Sequence, residues 1–115
     1  MSYIDGFVAA VPTANKEMYL QLARTAAGIF KEYGALSVVE TWGNDVPEGK
    51  LTSFTMAVQR KSDETVIFSW VTWPDKQTRD IGTKKTMEDK RLSSIEMPFD
   101  AKRMIYGGFE VILDV

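Results

Sequence analysis

Glu40, Tyr106, Phe7, Trp42, Trp70 and Arg103 have the side-chain types needed to hold or transform a small molecule. Glu40 and Trp42 are two positions apart in VVETW, the spacing that sets both on one face of a strand. A carboxylate beside an indole in a half-apolar pocket has its pKa raised by desolvation and can act as a general base. The same two residues also read as an ion-paired acid beside a core aromatic, the commoner fate of an acidic strand residue. Asp45 follows just past this strand. Tyr106 offers a hydroxyl that can donate a proton or bind an oxygen, or that simply packs with its hydroxyl satisfied. Arg103, close to Asp100 and Lys102, can fork onto a ligand carboxylate. It can equally pair with Asp100, Asp5 or Glu110 and hold the next strand in register, the role such ion pairs more often play. As a catalytic set, these residues favour proton abstraction or cofactor-free oxidation of an electron-rich substrate. Glu40 would be the base, and Tyr106 or Arg103 would stabilise developing negative charge. As a binding set, Phe7, Trp42, Trp70 and Arg103 would line a pocket for a small, partly apolar molecule. In a non-catalytic interaction module, the same residues would only hold subunits together.

Composition narrows the chemistry further. The chain has no cysteine and no histidine, which removes disulfides, thiolate nucleophiles, cysteine zinc sites, Ser-His-Asp triads and imidazole acid-base catalysis. No metal site is expected. Gly107-Gly108 lacks the GxGxxG spacing and the following helix of a phosphate loop, and no cofactor is expected. Glycines inside a strand instead indicate a bulge or a close backbone approach, and Asp5-Gly6 marks the same place on the opposing strand. A formal net charge of -2 argues against nucleic acid, whose binding rests on clustered Lys and Arg. Lys84, Lys85, Lys90 and Arg91 are interrupted by Glu88 and Asp89 and read as a solvated helix face. Met1 to Asn15 lacks a basic leader and carries Asp5 and Pro12, and no apolar run approaches the roughly 20 residues that span a bilayer. A cytoplasmic protein with no membrane partner is expected.

The elements that must position these residues follow from periodicity. The chain has 115 residues, a length that suits one domain over 1–115. Tyr3 to Val11 reads as a strand closed by Pro12. Tyr19, Leu22, Ala26, Ile29, Phe30 and Tyr33 recur at helical spacing, with Thr13 or Asn15 as the cap and Gly34 past the end. Ala35 to Trp42 is a strand and Asn44 to Lys50 a loop. Leu51 to Arg60 and Thr65 to Trp73 read as a hairpin of two strands ended by Pro74. Asp75 caps a thinly apolar helix from Lys76 to about Glu88, a further turn starts at Asp89, and the last strand runs from about Arg103 to Leu113. The order β-α-β-β-β-α-β predicts an α+β ferredoxin-like sandwich with an extra strand, in which the last strand lies beside the first.

Two helices cover one face of such a sheet, so its other face should turn polar if it meets water. It does not. The Thr65 to Trp73 strand sets Val66, Phe68 and Trp70 against Ile67, Val71 and Trp73, and the last strand is apolar on both sides. Exposing four such side chains forgoes about 6 to 12 kcal/mol, comparable to the whole stability of a small domain. A homodimer packed through its sheet faces is expected.

DGFV at 5–8, FKEYGAL at 30–36, VVETW at 38–42, DVPEGK at 45–50, VIFSW at 66–70 and above all MPFDAKRMIYGGFE at 97–110 resemble the YbaA-like family of small bacterial proteins. That resemblance implies a dimeric α/β-barrel of ferredoxin-like protomers, and it transfers no catalytic residue. The wider barrel class includes cofactor-free oxygenases, isomerases and ligand-sensing modules, among which a fold does not choose.

Overall fold

The computed structural model describes residues 2–115; Met1 lies outside the described residues. Strand β1 spans Tyr3–Pro12, helix α1 Lys16–Glu32, β2 Ser37–Trp42, α2 Phe54–Ala57, β3 Glu64–Trp73, α3 Lys76–Glu88, α4 Lys90–Ser93 and β4 Ile105–Glu110. Short 3-10 turns at Thr13–Asn15 and Ala101–Arg103 lead into α1 and towards β4. The strands form one antiparallel sheet in the order β2-β3-β1-β4. That order, with helices on one face, is the ferredoxin-like α+β sandwich.

The end of α1 follows from its sequence, but its expected cap does not form: Asn15 donates its Nδ2 to the Pro98 carbonyl at 2.8 Å, and the Thr13 hydroxyl pairs with that of Thr65. Gly34, at φ 112, takes the left-handed position that ends α1. Its N–H donates to the Lys31 carbonyl and that of Ala35 to the Phe30 carbonyl, so two helix-end acceptors are satisfied. α1 buries Tyr19, Leu22, Ala23, Ile29 and Phe30 against the sheet. Asp75 caps α3 by accepting from the Thr78 N–H, and Asp89 caps α4 by accepting from that of Arg91. α3 has a poor apolar stripe but presents Gly82 to the fully buried Trp73. Phe30 meets the same indole edge-on at 5.9 Å.

The expected extra strand at Leu51 to Arg60 is absent. β3 pairs with β1 on one edge and β2 on the other, which leaves no edge for a hairpin partner. The segment turns instead into α2, where the Ser53 hydroxyl accepts from the Met56 N–H at 3.0 Å. It folds over one end of the outer sheet face and buries Val58 against Val8, Ala10 and Val66. The order is therefore β-α-β-β-α-β, with α2 inserted between β2 and β3. β4 also ends earlier than expected, at Glu110, where its pairing with β1 reaches Tyr3, the first residue of that strand. One further bond, from Val111 N–H to the Ser2 carbonyl, closes that edge.

Two faces result. The helix-facing side carries Tyr3, Asp5, Phe7, Ala9 and Val11 of β1 with Ile67, Ser69, Val71 and Trp73 of β3. The outer side carries Ile4, Val8, Phe68, Trp70, Ile105 and Phe109; α2 sets Phe54 6.0 Å from the Phe68 ring, and the face otherwise remains open, with Phe68 45% and Phe109 60% exposed. Among the described residues, no helix is long and apolar enough to cross a membrane.

Candidate functional site

The helix-facing side of the sheet does not close fully against α1 and α3. Between them lies an open cavity of about 380 Å3, walled by Phe7, Phe30, Val38, Ile67 and Val71 and by residues of α1. The chain from the end of α3 to β4 completes it with Met87, Leu92, Met97, Phe99, Met104 and Tyr106. A volume in this range, largely apolar with few polar groups, suits a small organic molecule.

Glu40 is the polar group at one side of the cavity. β2 pairs Glu40 with Ser69 of β3, so both point to the helix face. Tyr19, held by its place on the buried stripe of α1, donates its hydroxyl to Glu40 Oε1 at 2.6 Å. β2 is an edge strand, so water still reaches Glu40, yet the surrounding protein displaces enough of it to raise the carboxyl pKa. Hydrogen bonds from Tyr19 and Ser69 offset that rise only in part. The Tyr19 phenol is pushed up as well, first by burial and then by the neighbouring Glu40 charge. Among the described residues, Glu40 has no ion-pair partner. It can hold a proton or accept one from a bound molecule.

A second polar group lies across the cavity. Asp5, 5% exposed, accepts from Trp73 Nε1 at 3.0 Å, from Arg79 Nε at 2.9 Å and from Thr83 Oγ1 at 3.3 Å. Arg79 Nη1 donates to Asp80 at 2.9 Å, Nη2 stands 2.9 Å from Asp5 as an ion pair, and the guanidinium lies 5.1 Å from the centre of the Tyr3 ring. Gly108, directly opposite Asp5, makes room for this: a Cβ there would meet the Tyr3 hydroxyl and stand 2.7 Å from Arg79 Nη2. The close backbone approach expected at the glycine pair is therefore located at Gly108. With Lys76 also on Asp80 at 2.9 Å, two cations balance the two carboxylates, and the network fixes α3 on the sheet.

Of the residues singled out from sequence, Phe7, Glu40 and Tyr106 line the cavity. Phe7 and Tyr106 stack at 6.4 Å, with Tyr106 on the rim and 74% exposed. The other three lie elsewhere. Trp42 packs beyond Tyr19 at 6.4 Å, with Lys16 5.4 Å from its ring centre. Trp70 is on the outer face against Phe68 at 5.4 Å, because strand alternation turns it away from the cavity. Arg103 is no free anion anchor: it forks onto Glu64 at 2.6 and 2.8 Å and reaches Asp100 at 3.1 Å and the Gln59 carbonyl at 2.8 Å. Those bonds lower the Glu64 carboxyl to about 2. Arg103 thus ties the approach to β4 onto the start of β3, and Asp5, one of its expected partners, is held by Arg79. Asp45 is exposed beyond β2 and lies outside the cavity lining.

Tyr19, Ser69, Arg79 and Thr83 do not stand out from residue type alone. Their one signal is polarity out of place: Asp5 and Ser69 interrupt otherwise apolar strands at positions that face the helices. A smaller recess of about 210 Å3 lies beneath the chain that follows β2. There Glu48 already accepts from Thr55 and Arg60, and Arg60 also donates to backbone carbonyls, which leaves little for a ligand. Among the described residues, no three metal-binding side chains converge.

Residues 2–101 match the family described as protein of unknown function, DUF1428. The chain belongs to this family. It is 53% identical over 116 residues to the uncharacterized protein YbaA of Escherichia coli K12, with 99% of each chain covered. The YbaA protein of Shigella flexneri matches to the same extent. Among solved structures it is similar to a mutant form of SnoaB, a cofactor-independent oxygenase from Streptomyces nogalater. The identity is 15% and the TM-score 0.48, with 99% of this chain and 94% of that chain covered.

Proposed function

We propose that this chain is a cytoplasmic protein that binds one small, partly apolar organic molecule per protomer between sheet and helices. What carries the reading is the cavity itself. It offers about 380 Å3 of mostly apolar space, with one carboxylate, Glu40, that has no counter-ion among the described residues. A purely structural module would gain by filling that space, since unfilled volume forfeits packing between its walls. The test is thermal melting against a broad metabolite collection. A ligand present at 100 times its dissociation constant adds about 2.7 kcal/mol, and so raises the melting temperature by about 10 °C. If no compound class shifts the transition, the ligand reading fails and the interaction module stands.

The raised pKa of Glu40 supports a catalytic version of the same reading. Glu40 would take a proton from an electron-rich substrate, and the Tyr106 hydroxyl on the rim would stabilise the resulting negative charge. In that case Glu40→Gln, even when saturated with the identified ligand, does not turn it over.

We also infer that two copies pair through the open part of the outer sheet face. The outward positions Ile4, Gly6, Val39, Phe68, Trp70, Ile105, Gly107 and Phe109 include no charge. Such a face can meet its own copy across a two-fold axis without opposing like charges.

A further inference from the structure

We propose that the molecule taken by this cavity is a small organic cation, an alkyl- or arylammonium ion, seated between Glu40 and the aromatic lining. This rests on the ligand-binding reading above and names the chemical class. The first observation is the balance of charge. Three ionised side chains line the cavity: Asp5, Arg79 and Glu40. Arg79 is already paired: Nε donates to Asp5, Nη1 donates to Asp80, and Nη2 stands 2.9 Å from Asp5, so two carboxylates answer its charge. An incoming anion therefore finds a guanidinium whose charge carboxylates already balance, and it meets the Glu40 carboxylate as a like charge. Glu40, in contrast, accepts from a neutral donor, the Tyr19 hydroxyl at 2.6 Å, with the neutral Ser69 paired opposite it on β3. Lys16 lies over the Trp42 ring, and no ion pair joins it to Glu40 among the described residues. The carboxylate is thus held in place and left without a cation.

The second observation is what surrounds it. Phe7, Tyr19, Phe30, Phe99 and Tyr106 all line the same space. Phe7 stacks on Tyr106 at 6.4 Å, and Phe99 meets Tyr19 edge-on at 5.9 Å, so the rings support one another as a wall. Aromatic faces attract a cation through their quadrupole, more strongly when it has left water. A neutral ligand would use the apolar area alone. An ammonium ion uses the area, the rings and the carboxylate together, and its charge restores a counter-ion to Glu40.

The experiment measures binding of three probes on one skeleton, 3-phenylpropylammonium, 3-phenylpropanol and 3-phenylpropionate, by calorimetry at neutral pH. The ammonium ion is expected to bind roughly tenfold or more tighter than the alcohol, the scale of a desolvated cation-aromatic contact with a charge-assisted bond. The carboxylate is expected to bind weakest. In Glu40→Gln, with folding checked by melting, the ammonium preference should fall to within about twofold of the alcohol while the alcohol's own affinity holds. The wild-type ranking decides the matter even if that variant does not fold. Equal binding of ammonium and alcohol, or tightest binding of the carboxylate, overturns the cation assignment and leaves the ligand reading intact. Binding by none of the three also overturns it, and the metabolite screen then judges the ligand reading by itself.

Discussion

Glu40 is open to water on an edge strand, and the direction of its pKa predicts that its charge works against folding. Its folded pKa is raised from 4.5, mainly by desolvation, so folding works against the carboxylate form. Well below the ordinary value both folded and unfolded chains are protonated and no penalty exists. As the pH rises through the ordinary and then the raised value, the penalty grows to its full size. Glu40→Gln removes it and keeps an oxygen for the Tyr19 hydroxyl. The variant should therefore melt above the wild type at neutral pH, and the gap should close as the pH falls below the ordinary carboxylate range. Glu64 titrates in the opposite sense: its pKa is lowered to about 2, so its stabilisation is present above the ordinary value and lost as the pH falls through its own. For that reason the measurement is the difference between variant and wild type across pH. A gap independent of pH would show that folding does not desolvate Glu40. At this scale, residue types and strand spacing picked out an acid that lines the cavity, but they could not distinguish Arg103 from Arg79 or Trp70 from Tyr19, because partner and face depend on residues far away in sequence.

At the scale of elements, α3 shows how a weak local pattern is held by one contact. Its sequence is mostly polar, and Gly82 lowers its intrinsic stability. The glycine is required because a Cβ at that position would meet the Trp73 ring and stand 2.6 Å from the Tyr33 carbonyl oxygen. Gly28, in α1, is exposed, and a Cβ there meets nothing within 4 Å. The two alanine substitutions should thus differ in sign. Gly28→Ala should stabilise by about 1 kcal/mol through helix propensity, and Gly82→Ala should destabilise by about 2 kcal/mol or more through overpacking. Denaturant titration measures both, and a stabilising Gly82→Ala would show that α3 can shift on the sheet. Helix α1, the strands β1 to β3 and the caps Asp75 and Asp89 are readable locally because periodicity and capping are local. Leu51 to Arg60 is not, because strand formers become a strand only where a sheet edge is free to pair, and β1 and β2 occupy both edges of β3.

The molecule as a whole has one face covered by helices and another that is covered only in part, where Phe54 and Val58 pack down. Pairing two copies through the open part of that face should give a particle that sediments at twice the chain's mass at micromolar concentration. Phe109→Lys places a charge at an already exposed position, 60% accessible, and should yield a folded monomer. A wild-type monomer under the same conditions would rule out the pairing. By itself the sequence determined the family, the ferredoxin-like α+β class and the absence of imidazole and thiol chemistry, since motifs, periodicity and composition are properties of the chain. Only the tertiary structure decided that Phe7, Glu40 and Tyr106 share a cavity while Trp42, Trp70 and Arg103 do not. The alternation of a strand says which residues share a face, but what covers that face, and which charge answers which, is set by helices and strands that meet only after folding.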